Sequence, residues 1–159
     1  MEAKRSRRPI ERNVAMELVR VTEAAALAAS RYLGMGDKNL VDGAAVSAMR
    51  FVLGSVHMDG VVIIGEGEKD EAPMLYIGER IGDGSGLKLD IAVDPVDGTT
   101  LTAKGLPGAI SAVALSARGT MNCPRQVVYV NKIIAGPEAR DVVNIEASVA
   151  ENLKNITKA

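Results

Sequence analysis

The sequence predicts an α/β protein of the layered α+β kind, two amino-terminal helices packed on a mixed β-sheet. Three observations predict it. Apolar residues recur at spacings of three and four through two long segments before Gly60. Beyond Gly60 the pattern changes to short β-branched or alternating runs bounded by glycines. A content of 47% hydrophobic residues in 159 supplies the apolar material for one core.

The first helix is expected from Asn13 to Leu33, where Val14, Leu18, Val21, Ala25, Ala28 and Tyr32 share a face, Asn13 caps and Gly34 stops it. The second runs from about Val41 to Met58 through Ala44, Ala45, Met49, Val52 and Val56 and closes at Gly60. Asp42 then falls in its first turn, where the helix dipole favours a carboxylate, so helix-end stabilisation is one reading of that residue. Val61-Val62-Ile63-Ile64 reads as a buried strand that delivers Gly65-Glu66-Gly67-Glu68 at its carboxyl end. After the turn Gly82-Asp83-Gly84-Ser85-Gly86, Leu87, Leu89, Ile91 and Val93 alternate with Lys88, Asp90, Ala92 and Asp94 as a half-buried strand. Ala109 to Ser116 and Val127 to Ala135 read as two further strands, the first followed by a turn at Arg118-Gly119. Val142 to Ala159 carries no clear stop signal. Residues 1–12 read as a mobile basic tail and 13–159 as one domain.

Charge and composition narrow the function classes. With 19 basic and 20 acidic residues the net charge of −1 gives no general attraction to nucleic acid or anionic lipid. No apolar run approaches the ~20 residues of a membrane helix, so the expectation is a protein without nucleic-acid or membrane partners. One cysteine, Cys123, and one histidine, His57, exclude Cys/His zinc frameworks and internal disulfides; both read as structural, and a reducing cytoplasm is the expected home. Neither G-x-x-x-x-G-K-[ST] nor G-x-G-x-x-G occurs, which argues against a kinase or nucleotide-binding protein.

The chemistry is concentrated in Asp94-Pro95-Val96-Asp97-Gly98-Thr99-Thr100, preceded by Glu66 and Glu68. Two carboxylates three apart, a proline fixing the turn and a glycine leaving N–H groups open suit a hard cation and a phosphate held together. Hydrolysis of a phosphate monoester is among the slowest uncatalysed reactions, and Mg²⁺ or Mn²⁺ held by carboxylates from several segments supplies the required charge neutralisation and water activation. Glu66 after one strand, Asp94 and Asp97 after another and Asp42 at a helix start can form such a set if the two strands are neighbours. The N–H groups of Thr99 and Thr100 can cradle phosphate, and the Thr99 hydroxyl can orient the attacking water if Asp42 holds it.

The run Asp94 to Thr100 resembles the signature of the lithium-sensitive, metal-dependent sugar phosphatases. Arg20-Val21-Thr22-Glu23-Ala24-Ala25-Ala26, Gly36-Asp37-Lys38-Asn39, Asp42-Gly43-Ala44-Ala45 and Ile64-Gly65-Glu66-Gly67-Glu68, with Asp70-Glu71-Ala72-Pro73-Met74-Leu75-Tyr76, resemble class II fructose-1,6-bisphosphatase over about residues 12 to 159. The resemblance implies hydrolysis of the 1-phosphate of fructose 1,6-bisphosphate to fructose 6-phosphate, a gluconeogenic step, with Mg²⁺ or Mn²⁺ as cofactor. It implies Asp42, Glu66, Asp94 and Asp97 as metal ligands, Asp42, Thr99 and Asp70 as catalytic residues, and Lys38, Gly98, Thr99, Thr100 and Tyr129 as substrate contacts. Several family members carry glutamate where Asp97 stands. Read from sequence alone, Lys38 also fits a surface ion pair, Asp70 a solvated loop charge and Tyr129 a half-buried strand residue. Family members are roughly twice this length and the remainder carries a further acidic ligand, so the chain matches the amino-terminal half, and a homo-oligomer is implied at full length. The alternatives are a related sugar or inositol phosphate phosphatase, and a module that binds metal or phosphate without turnover.

Overall fold

The computed structural model describes residues 13–67, 74–124 and 130–158, which form two compact units, one ending at Asn122 and one beginning at Cys123. In the first unit helix α1 spans Val14–Ser30, and the Asn13 side chain accepts a hydrogen bond from the Ala15 N–H, the expected cap. The helix stops short of the expected Leu33; a turn carries the chain to Gly34, whose φ of 75° suits glycine. Helix α2 spans Lys38–Leu53 and not Val41 to Met58. The start was misjudged because it was set by the first buried apolar residue, whereas the Asp37 carboxylate caps the helix by accepting from the N–H groups of Asn39 and Leu40. Gly54 ends it, and Met58 and Gly60 belong to a strand.

Strand β1 spans Met58–Ile64, β2 Arg80–Ile81, β3 Leu87–Asp97 and β4 Ile110–Ala117, with a short helix α3 at Thr99–Ala103 between the last two. The sheet order is β2-β1-β3-β4; β1 and β3 are parallel and the other pairs antiparallel, giving the mixed sheet expected. Helices α1 and α2 pack on each other and against β3, and α1 also against β4. Val21, Ala25, Val41, Ala45, Met49 and Leu53 on the helices and Met58, Val62 and Ile91 on the strands form a dry core.

The second unit holds a 3₁₀ turn at Pro137–Ala139 and helix α4 at Val149–Ile156. The sequence reading missed α4, although Ser148 and Glu151 form a capping box whose spacing is visible in the chain. The strand expected over Val127 to Ala135 does not form across its described part. Residues 130–135 are irregular, and Val130, Ile133 and Ile134 are exposed. A β-branched run becomes a strand only where a ladder partner and a covering layer receive it; residues 127–129 lie outside those described.

Candidate metal and phosphate site

The carboxyl ends of β1 and β3 lie side by side because the two strands run parallel. Ile64 pairs with Ala92, and Glu66 and Asp94 each follow two residues further on. The neighbour condition set by the sequence is therefore met at the carboxyl edge of the sheet, where α/β proteins hold ligands.

Asp94 and Asp97 present a geometric difficulty that the structure resolves. Residues three apart on a regular strand point to opposite faces. Asp94 pairs with Ala112 and Asp97 with Ile110, so three steps on β3 oppose two on β4. That bulge restores both aspartates to one side; both are exposed, while Pro95 and Val96 between them are buried. Gly98 follows in the left-handed conformation at φ 100°, ψ 40° and turns the chain into α3. A Cβ there would stand 3.2 Å from the Leu101 side chain and 3.3 Å from Ala109, so glycine is required by both conformation and space. Thr99 and Thr100 open the turn of α3, whose first amides have no intrahelical acceptor.

Asp42 approaches from α2, which packs against α3 and β3. Because α2 begins at Lys38, Asp42 lies in the second turn, and its first turn holds no acidic residue. The dipole reading of Asp42 loses its basis, since that effect falls off within one turn. Lys38 lies one turn earlier on the same face of α2, exposed, and the surface ion pair open to it from sequence is not formed among the described residues. No hydrogen bond joins the Thr99 hydroxyl to Asp42 among the described residues. Asp70 and Tyr129 lie outside the described residues.

The electrostatics show that the carboxylates share one neighbourhood. Burial, then the charges of Asp42 and Asp94, push the Glu66 carboxyl up to about 7. Burial and the charges of Asp97 and Asp42 raise Asp94, although its carboxylate also accepts from the Val96 N–H. Burial raises Asp42. Among the described residues no three of these side chains stand close enough to hold an ion as placed. Their chemistry still fits a hard divalent cation: the donors are all carboxylate oxygens, no basic side chain among the described residues forms an ion pair with them, and the charges of Asp42 and Asp94 raise the proton affinity of Glu66 as those of Asp97 and Asp42 raise that of Asp94.

Residues that sequence reasoning passed over fix the Glu66 turn. The Glu66 N–H donates to the Leu75 carbonyl at 3.0 Å and the Ile77 N–H to the Gly67 carbonyl at 2.9 Å. A Cβ on Gly65 would fall 2.1 Å from the Leu75 oxygen, so only glycine lets the two backbones meet. Glu79, buried, accepts from the Leu75 N–H and from Arg50 Nε on α2. Pairing across this distance in sequence leaves no spacing signal to read.

His57, Asp83 and Ser85 also cluster, but Asp83 Oδ2 and Ser85 Oγ both address Nδ1 at 2.9 Å, so no proton relay through the ring is formed. Cys123 is exposed and unpaired.

The acidic residues Glu66, Asp94 and Asp97 thus lie at the carboxyl edge of a mixed sheet, with Asp42 on the helix packed against it. The chain belongs to the bacterial fructose-1,6-bisphosphatase family, glpX-encoded, whose pattern it matches over residues 12–159. It is 49% identical over 151 residues to fructose-1,6-bisphosphatase 1 class 2 of Escherichia coli K12, covering 94% of this chain and 44% of that protein. The fructose-1,6-bisphosphatase class 2 proteins of Escherichia coli O6:H1 and Shigella flexneri match with the same identity and coverage. The chain thus spans less than half the length of these relatives.

Proposed function

We propose that this chain provides the carboxylate centre of a class II fructose-1,6-bisphosphatase, which adds water to the 1-phosphate of fructose 1,6-bisphosphate to give fructose 6-phosphate and inorganic phosphate. The observation that carries the reading is the parallel pairing of β1 and β3, which sets Glu66 beside Asp94, together with the bulge that brings Asp97 to the same side. Membership in the family supports the substrate. In this reading Asp42, Glu66, Asp94 and Asp97 hold Mg²⁺ or Mn²⁺, ions that neutralise phosphate oxygens and lower the pKa of bound water. The amides of Gly98, Thr99 and Thr100 receive the phosphate, and Lys38 approaches it from α2. Asp42 and Thr99 orient the water, with Asp70 assisting; Tyr129 contacts the sugar phosphate. Residues 13–159 act as the metal-binding part of a larger catalytic unit, behind a basic tail at 1–12. The setting proposed is cytoplasmic and, at full length, homo-oligomeric; no described helix is long and apolar enough to cross a membrane.

The test is release of phosphate from fructose 1,6-bisphosphate by the 159-residue chain with Mg²⁺ or Mn²⁺, against Asp94→Asn. Release that the substitution abolishes supports the reading. A second reading is metal binding without turnover, since among the described residues no three acidic side chains stand close enough to hold an ion as placed. It predicts Mn²⁺ binding that Asp94→Asn removes and no release from either protein. Equal release by both would overturn the assignment of the carboxylates.

A further inference from the structure

The turn from Leu75 to Glu79 does more than connect β1 to β2. Leu75 is the one described non-glycine residue with positive φ, at 55°, and it is fully buried. A branched side chain in that conformation is strained and persists only when its surroundings enforce it. The enforcing group is Glu79. Its carboxylate is 5% exposed, accepts from the Leu75 N–H through Oε2 and meets Arg50 Nε at 2.6 Å through Oε1. The left-handed turn aims the Leu75 carbonyl at Gly65, where it accepts the Glu66 N–H. The same turn is fastened to β1 by the Val62 N–H to Glu79 carbonyl bond at 2.9 Å and the Gly78 N–H to Val62 carbonyl bond at 2.8 Å.

Arg50 sits on α2, the helix that carries Asp42, two turns towards the carboxyl end. One buried carboxylate thus ties the helix bearing Asp42 to the turn bearing Glu66. We infer that Glu79 and Arg50 form a positioning pair, which fixes the spacing between Asp42 and Glu66 and so sets how tightly a divalent cation is held between them. The inference rests on the metal-site reading above. Neither residue is a catalytic residue: neither touches the cation or the substrate.

Glutamine is the informative replacement at 79. It keeps the size of glutamate, but its amide offers one acceptor oxygen to two donors, so either Leu75 or Arg50 is left facing an NH₂ group. The experiment is a Mn²⁺ titration of the 159-residue chain, followed by the electron paramagnetic resonance of free Mn²⁺, with the folded fraction measured by circular dichroism. Loss of a residue that orients ligands weakens metal binding 10–100-fold in general, and Glu79→Gln is expected near the lower limit, about tenfold. Arg50→Gln, which leaves the Leu75 bond in place, is expected to cost roughly threefold, as for a half-exposed pair. A lower melting temperature with unchanged Mn²⁺ affinity in the folded protein would make the pair a structural brace alone and overturn the inference. If Glu79→Gln does not fold, Arg50→Gln decides, and unchanged affinity there overturns it equally. Wild-type protein that binds no Mn²⁺, or binds it as well after Asp94→Asn, would instead overturn the metal site itself and this inference with it.

Discussion

The two ends of the central strands carry the same residue type to opposite purposes. Towards their starts, β1 and β3 hold Asp59 and Asp90, and both are answered. Asp90, 1% exposed, accepts from the N–H groups of Gly119 at 2.6 Å and Met121 at 3.1 Å, and its other oxygen, which accepts no hydrogen bond, stands 3.4 Å from the charge of Arg118 Nε. Asp59 lies 3.4 Å from Arg118 and 3.6 Å from Arg80. At the far ends Glu66 and Asp94 meet Asp42 and Asp97 and no basic side chain among the described residues. A buried carboxylate costs stability unless it is paired. The starts of the strands are built for folding, and their ends carry a repulsion that a cation would relieve.

Substitutions should separate the two regions cleanly. Asp90→Ala leaves the Gly119 and Met121 amides without their acceptor and Arg118 without one of its two carboxylate neighbours, and removing one member of such a buried set costs about 3–5 kcal/mol; urea unfolding in chelator should show that loss, with Mn²⁺ affinity of the folded fraction unchanged. Gly65→Ala forces a Cβ to within 2.1 Å of the Leu75 oxygen, a crowding of about 1–3 kcal/mol. Because that contact seats Glu66, this variant should lose stability and Mn²⁺ affinity together, and an effect on stability alone would separate the turn from the site. Glu66→Gln should behave in the opposite sense to Asp90→Ala. By removing one of the crowded charges it should gain about 1 kcal/mol of metal-free stability while abolishing Mn²⁺ binding; a loss of stability instead would mean that Glu66 is paired as Asp90 is.

How much of this could be read from the chain follows from the range of each interaction. Helices α1 and α2 and strands β1, β3 and β4 were legible because periodicity and capping are local: Asn13 caps α1 as expected, and Leu89, Ile91 and Val93 are buried, although the alternation fails at Asp90, which is buried, and at Leu87, which is exposed. The start of α2 lies at Lys38 and not about Val41 because the Asp37 side chain caps it, a signal the apolar periodicity does not contain, and residues 130–135 form no strand because apolar content alone supplies no pairing partner. The candidate carboxylates were legible as residue types. The placement of Glu66, Asp94 and Asp97 at one edge of the sheet was not, since it depends on the parallel register of β1 with β3 and on the bulge at Pro95-Val96, neither of which has a spacing in sequence. Glu79 and Arg50 were invisible for the same reason: they meet across 29 residues.

The smallest expected effect is a pH dependence, and its sign distinguishes the two ends of the sheet most directly. Glu66 is raised from 4.5 to about 7 by burial and by Asp42 and Asp94. Between those values the native chain keeps a proton that the unfolded chain has lost, so metal-free stability contributed by Glu66 is fully present below about 4.5 and falls as pH rises through about 7. The upward shifts of Asp94 and Asp42 act in the same direction. After allowance for partial solvent screening the Glu66 share is about 1 kcal/mol, measurable as a higher melting temperature at pH 5 than at pH 7.5 in chelator. A paired carboxylate gives the reverse slope, as Asp83 must, since hydrogen bonds from Ser85 and the contact with His57 lower it to about 2. Bound Mn²⁺ competes with the proton on Glu66, so saturating metal should remove the decline and affinity should rise with pH. Glu66→Gln should flatten the chelator slope without metal; if its slope equals that of the wild-type chain, the crowding at the carboxyl edge carries no energy and the contrast between the strand ends fails.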